Sequence, residues 1–157
     1  MENLKATCDV LNGWGVTDQM EITTVKYPKD HTYELDYQDI KGQKLAKRAA
    51  EVAVAGNHNM LMIGPPGAGK TMIAKRIPTI LPPLTKEESM ELTKLYSIVG
   101  GLNANRPLIL ERPFREVHHT ATKSALIGGG LIPRPGEISL ADKGVLFLDE
   151  IAEFQKP

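Results

Sequence analysis

The sequence is poor in cysteine and aromatics, has no excess of charge of either sign, and contains no long apolar run. A single cysteine, Cys8, excludes an internal disulfide, and no Cys/His grouping shows zinc-ligand spacing. One tryptophan, Trp14, and a few tyrosines (Tyr27, Tyr33, Tyr37) in or beside the first 35 residues are too sparse for a base-stacking platform. Lys+Arg and Asp+Glu are both 19, so the whole chain lacks the basic excess of a dedicated nucleic-acid binder. No stretch approaches the roughly 18–20 apolar residues of a membrane-spanning helix. The opening MENLKATCDV lacks the charged-then-apolar run of a secretory signal. These absences predict a reduced, cytoplasmic setting without membrane contact. Nothing around Cys8 would lower its pKa, so it reads as a bystander.

At 41% hydrophobic and 24% charged, the chain can build a core and a solvated surface, and its length fits one domain. Residues 1–35 hold three Lys against six Asp/Glu, a net of −3, which leaves +3 on residues 36–157. The first stretch has weak periodicity, interrupted by Gly13, Gly15 and Pro28. It reads as a linker or the tail of an upstream domain, with one short strand near Ile22–Tyr27.

Organisation tightens from Asp36. Lys44–Ala55 places Leu45, Ala49, Val52 and Ala53 at helical spacing and stops at Gly56, a suitable C-cap. Met60–Ile63 is a continuous apolar run, as expected of a strand buried on both faces. A glycine-rich turn follows, then a short helix from Lys70 to near Pro78. Thr85 and Glu88 form a capping-box pattern for a helix through about Ser97, closed by Gly100 and Gly101. A segment bearing Arg106, Arg112 and Arg115 leads to a helix over Thr120–Ile127. Gly128–Gly130 and the Pro133, Pro135 and Gly136 stretch read as a loop. Val145–Leu148 is a second apolar strand, ending in Asp149 and Glu150. Apolar strands alternating with helices predict an α/β domain with a mainly parallel sheet.

The strongest chemical signal is Gly64-Pro65-Pro66-Gly67-Ala68-Gly69-Lys70-Thr71. It fits G-x-x-x-x-G-K-[ST] in the strand–loop–helix context that the motif requires. Its glycines let successive backbone N–H groups converge on phosphate oxygens, and the helix start adds positive dipole. In that reading Lys70 reaches the β- and γ-phosphates and the Thr71 hydroxyl ligates Mg²⁺. About 80 residues downstream, Asp149 at the C-terminal end of a strand can hold Mg²⁺, and Glu150 can polarise a water. No N-K-x-D guanine-reading motif occurs, so the expected nucleotide is ATP.

Asp39-Ile-Lys-Gly-Gln43, the loop Gly64–Thr71 and Gly144-Val-Leu-Phe-Leu-Asp-Glu150 together resemble AAA+ ATPases. Arg112-Pro-Phe-Arg-Glu-Val-His-His-Thr120, Ile127-Gly-Gly-Gly130 and Pro135-Gly-Glu-Ile-Ser-Leu140 narrow the resemblance to magnesium-chelatase-like proteins of the ComM/YifB group. The likeness spans roughly residues 36–157 and is most specific over Phe114–Gly130.

The resemblance implies the N-terminal portion of a three-layer αβα P-loop NTPase sandwich. It implies work in a ring, usually a hexamer, with ATP and Mg²⁺ between subunits and Ile40–Gln43 near the adenine. ComM-like members are described as DNA helicases, whereas chelatase subunits drive metal insertion into a porphyrin. A third possibility is a nucleotide-responsive assembly module that does not turn over. An AAA+ domain of this kind continues past Glu150 with a sensor-1 strand, arginine finger, helical lid and sensor 2. These do not fit in the seven residues that follow Glu150. The family's strand order, 5-1-4-3-2, would then leave a gap between Met60–Ile63 and Val145–Leu148, and hydrolysis by these residues alone would be very slow.

Other features carry weaker signals. His118 and His119 are adjacent, so their side chains are expected to point apart, and no third ligand stands at metal-site spacing. His58 reads as a turn residue and His31 as a linker residue. Arg106, Arg112, Arg115, Lys123 and Arg134 form a basic insert that could contact DNA phosphates or remain a solvated loop or subunit contact. Gly128–Gly130 lacks the Lys-Ser/Thr of a phosphate loop and reads as a hinge or turn. Met60, Met62 and Met72 read as core filler near the nucleotide loop.

Overall fold

A computed structural model of the chain describes residues 8–9, 11–13, 33–102, 107–130 and 133–154. The strand expected near Ile22–Tyr27, and Trp14, Tyr27, His31 and Arg106, lie outside the described residues. The first long helix, α1 (Lys44–Gly56), is entered through Gly42 and Gln43, which both adopt positive φ. Left-handed Gln43 makes no side-chain cap; its Nε2 instead donates to the Ala68 carbonyl at 3.1 Å. The C-cap falls on Asn57 rather than Gly56, with φ 51° in the left-handed region that Asn tolerates better than most residues.

The core-facing stripe of α1 is Ala46 and Ala50, not the Leu45–Val52 side. Ala50 is fully buried beside Tyr37, Ile40 and Ile73, whereas Leu45 and Val52 are exposed. Small side chains at i and i+4 let the helix approach this cluster closely. The Tyr37 hydroxyl donates to the Lys47 carbonyl at 2.7 Å, tying the turn Tyr37–Asp39 to α1. Burial, then the nearby Glu51 carboxylate, raises the Tyr37 pKa above 10.

Met60–Ile63 departs from expectation. Met60 and Met62 pack on the core cluster, but Leu61 is 69% and Ile63 90% exposed. Among the described residues no strand pairs with this segment. Its alternate side chains therefore find cover on one side only, and the doubly buried strand is not formed. Met72, expected in the core, is exposed as well. The helix after the phosphate loop, α2 (Lys70–Ala74), is also shorter than expected, and the chain continues in a 3₁₀ turn, Ile77–Ile80, around buried Pro78.

Helix α3 (Lys86–Ile98) begins with the expected capping box: Glu88 N–H donates to Thr85 Oγ1 at 3.2 Å, and Thr85 N–H to Glu88 Oε2 at 2.9 Å. Its inner face carries buried Ser89 and Leu92. Ser89 donates to the Ile109 carbonyl, and Thr93 Oγ1 accepts from Ile109 N–H at 2.9 Å, which fastens the connection to the next strand. Tyr96 donates to the Leu140 carbonyl at 2.8 Å, and burial is the main cause that raises its pKa.

The sheet is a parallel pair. Strand β1 (Phe114–Val117) runs beside β4 (Val145–Leu148), with Phe114 opposite Val145 and Val117 opposite Leu148. β4 is the expected strand; β1 is not apparent from hydropathy because Arg115 and Glu116 occupy its centre. Both charges are matched from neighbouring elements. Arg115 makes a bidentate bond to Glu137, and Glu116 pairs with Lys75 at 2.8 Å. The hydrogen bond to Glu137 leads the causes that raise the Arg115 pKa.

Between the two strands lie α4 (Lys123–Ile127), capped by Thr122, and α5 (Glu137–Leu140). The stretch expected as a plain loop contains a two-residue antiparallel ladder, β2 (Gly128–Gly129) with β3 (Arg134–Pro135). Arg112 is largely buried, and its guanidinium donates to the Pro82, Pro83 and Lys143 carbonyls and to Glu88. It holds the α3 entry against the start of β4.

At that start, a Cβ on Gly144 would collide with the Pro113 carbonyl and ring. Gly144→Ala is therefore expected to destabilise the chain by about 1–3 kcal/mol, as overpacking does elsewhere. Urea unfolding followed by circular dichroism measures this, and unchanged stability would contradict the close β1–β4 approach.

Candidate nucleotide-binding site

The loop Gly64–Thr71 is shaped by two left-handed glycines, Gly67 (φ 76°) and Gly69 (φ 84°). These conformations disfavour any residue with a Cβ, and they turn the backbone into the start of α2. Ala68 N–H closes a turn on the Pro65 carbonyl at 3.2 Å, and Ile73 N–H reaches the Gly69 carbonyl at 2.9 Å. Lys70 folds back over the loop: its Nζ donates to the Gly64 carbonyl at 2.9 Å and the Pro65 carbonyl at 3.1 Å. The ammonium is thereby held over the concave loop, and one lysine can exchange these carbonyl contacts for phosphate oxygens.

Ile40 is 3% exposed in the core, so its side chain is engaged by packing rather than open to a base. Its segment nevertheless reaches the loop, because Gln43 bonds the Ala68 carbonyl. Lys75, just past α2, pairs with Glu116 of β1 and so connects the phosphate-loop helix to the strand beside β4.

The carboxylate end is set by the sheet. Asp149 N–H extends the ladder to the Val117 carbonyl at 3.1 Å, and Asp149 Oδ1 accepts from Glu150 N–H at 3.0 Å. Thr71 and Asp149 offer oxygen donors, the set that a hard cation such as Mg²⁺ takes. Glu150 has φ 53° and ψ 47°, a left-handed conformation costly for a residue with a Cβ. Its side chain meets the two histidines: Oε2 lies 2.8 Å from His119 Nδ1 and 3.5 Å from His118 Nε2. Among the described residues, Lys70 forms no ion pair with Asp149 or Glu150.

The histidine–glutamate contact corrects the sequence expectation. His118 and His119 do not point apart: their ring centroids are 4.0 Å apart, and Glu150 supplies a third group. The signal was not local, since 31 and 32 positions separate the histidines from Glu150. Pairing β1 with β4 brings them together.

The basic insert is corrected too. Arg112 and Arg115 are committed to internal bonds, Arg106 lies outside the described residues, and Lys123 and Arg134 are exposed.

A mixed helix–strand domain with this loop and a carboxylate-tipped parallel strand belongs to the P-loop-like α/β class. Residues 36–157 match the family described as magnesium chelatase, subunit ChlI. The chain is 43% identical over 155 residues to the uncharacterized protein YifB of Salmonella typhimurium, covering 99% of this chain and 30% of that protein. It is 52% identical over 122 residues to competence protein ComM of Haemophilus influenzae, covering 78% of this chain and 24% of that protein. A more distant likeness, 34% over 125 residues, is to the ATP-dependent protease ATPase subunit HslU of Enterococcus faecalis, covering 64% of this chain and 27% of that subunit. The chain belongs to the magnesium chelatase ChlI family, in its ComM/YifB-type branch. It spans about 30% of the length of YifB. Among the described residues no helix is long and apolar enough to cross a membrane.

The left-handed Glu150 yields a prediction. Glu150→Gly should leave stability unchanged or raise it by up to about 1 kcal/mol, because release of left-handed strain offsets the usual glycine penalty. A loss above about 1 kcal/mol in urea unfolding would show that the Glu150 contacts outweigh its backbone strain.

Proposed function

We propose that this chain is the ATP-binding part of a ring-forming motor that remodels DNA. The observation that carries the reading is the Gly64–Thr71 loop, with left-handed glycines and Lys70 held on its Gly64 and Pro65 carbonyls. In this reading residues 36–157 form part of a three-layer αβα sandwich. Segments elsewhere in the longer protein then cover the exposed Leu61 and Ile63 face.

The loop amides from Gly67 through Thr71 bind the phosphates, and Lys70 neutralises charge on the transferred group. Thr71 and Asp149 would hold Mg²⁺, whose positive charge would offset that of the phosphates. Glu150 orients the attacking water once its carboxylate leaves the histidines. Turnover belongs to the ring, where a neighbouring subunit supplies an arginine, and the isolated chain hydrolyses ATP very slowly. The name of the ComM relative, a competence protein, supports a role connected with competence. Among the described residues of the insert, Lys123 and Arg134 are exposed, which supports contact with phosphates. The family description favours a second reading, a chelatase motor working on a porphyrin-metallating partner.

The test is ATP hydrolysis by the full-length protein, with and without single-stranded and branched DNA, across a salt series. DNA should stimulate hydrolysis, and the effect should fade steeply as salt rises. Lys70→Ala should abolish most nucleotide affinity, whereas Glu150→Gln should retain binding and stop turnover. Replacing Lys123 and Arg134 together by alanine should lower the slope of log affinity for DNA against log salt by about 2. Robust hydrolysis indifferent to DNA would move the assignment to the chelatase reading, and loss of binding in a folded Glu150→Gln variant would remove Glu150 from its role.

A further inference from the structure

Beyond Val117 the β1 ladder ends, and Ala121 N–H turns back to the His118 carbonyl at 2.9 Å. This turn puts two consecutive imidazoles on one side of the chain, where a continuing strand would send them to opposite faces. His118 Nδ1 lies 3.2 Å from Thr120 Oγ1, which occupies that ring nitrogen and leaves Nε2 directed toward Glu150. His119 Nδ1 is buried and makes no well-aligned hydrogen bond, although Glu150 Oε2 stands 2.8 Å away. A buried imidazole nitrogen without an aligned partner is an uncommon arrangement. Ligand atoms from the three residues lie within 4.8 Å of one another.

We propose that His118, His119 and Glu150 form a binding site for a divalent transition cation of the Zn²⁺ or Co²⁺ type. Two imidazoles and one carboxylate are a donor set suited to zinc and its neighbours, not to Mg²⁺, which favours oxygen ligands. Metal–ligand bonds of about 2.0–2.1 Å place tetrahedral ligand atoms roughly 3.3 Å apart. The observed separations of 2.8 and 3.5 Å to Glu150 Oε2 lie on either side of that value. His118 and Glu150 are each more than half exposed, so the remaining coordination position opens to solvent. The Thr120 hydroxyl holds the His118 ring at Nδ1, as hydrogen-bond partners of metal-bound histidines do.

The site has a consequence that rests on the motor reading above. A cation that takes the Glu150 carboxylate removes it from water activation while leaving Gly64–Thr71 free, so the bound metal holds the nucleotide-loaded motor inactive.

The test is a Co²⁺ titration of the 157-residue chain carrying Cys8→Ser, in millimolar Mg²⁺, followed by visible absorption and calorimetry. One Co²⁺ per chain should bind in the micromolar range, with the absorption of a low-coordinate site, and Zn²⁺ should displace it. His118→Asn and His119→Ala should each weaken binding at least tenfold. His118 is exposed, so its variant should keep the circular dichroism spectrum of the parent, and a folded His118→Asn chain remains informative if His119→Ala does not fold. Parent-like Co²⁺ affinity in the folded His118→Asn chain, or no binding below millimolar Co²⁺, would overturn the proposal. Failure of the motor reading would show separately, as absence of nucleotide binding by the metal-free chain.

Discussion

Everything at the carboxylate end depends on the register of two parallel strands. With Val117 opposite Leu148, the ladder is extended by one hydrogen bond from Asp149 N–H to the Val117 carbonyl. That bond aligns Asp149 and Glu150 with His118 and His119 on one edge. A shift of one residue would send each side chain to the opposite face and separate the histidines from the glutamate. The register is itself held by close packing at the other end, where Gly144 passes against Pro113, and by charges that satisfy Arg115 and Glu116 from α5 and from the residue after α2.

The same pairings link the two halves of the candidate site. Glu116 lies in the strand that positions the histidines, and its partner Lys75 follows the helix that starts at Lys70. The phosphate loop is thereby connected to the carboxylate edge through one ion pair between partly exposed groups. Such pairs contribute little stability, roughly 0–1 kcal/mol, so the link orients more than it stabilises. Glu150 is held in a left-handed conformation and turned toward His118 and His119, with Lys70 resting on its own loop carbonyls. The two groups proposed for catalysis thus stand on separate partners.

Legibility in the sequence followed the range of the interaction. The Thr85–Glu88 cap is set by residues within a few positions of one another and is formed as read, and the Gly64–Thr71 turn leads into α2, although among the described residues the strand read ahead of it is not formed. Strand β4 was legible because all four of its residues are apolar. Strand β1 was not, because the charges in Phe-Arg-Glu-Val are neutralised only by Glu137 and Lys75, which are distant in sequence. Met60–Ile63 failed in the opposite way. Its composition fits a strand covered on both faces, yet cover requires a second layer, and among the described residues only the Met60 and Met62 side has one. The inward face of α1 was displaced by one residue because alanines, not the larger Leu45 and Val52, fit beneath Tyr37 and Ile73. The His118–His119–Glu150 group could be found only by knowing which strand ends share an edge.

The central claim is that Gly64–Thr71 is a phosphate cradle and that Asp149 completes its cation site. The most direct measurement is hydrogen exchange of the 157-residue chain with ADP, in the presence and absence of Mg²⁺. The account predicts slowed exchange at the amides of Gly67 through Thr71 with nucleotide, and added protection at Asp149 and Glu150 only when Mg²⁺ is present. Unchanged exchange across Gly64–Thr71 at saturating nucleotide, or protection confined to other segments, would contradict it.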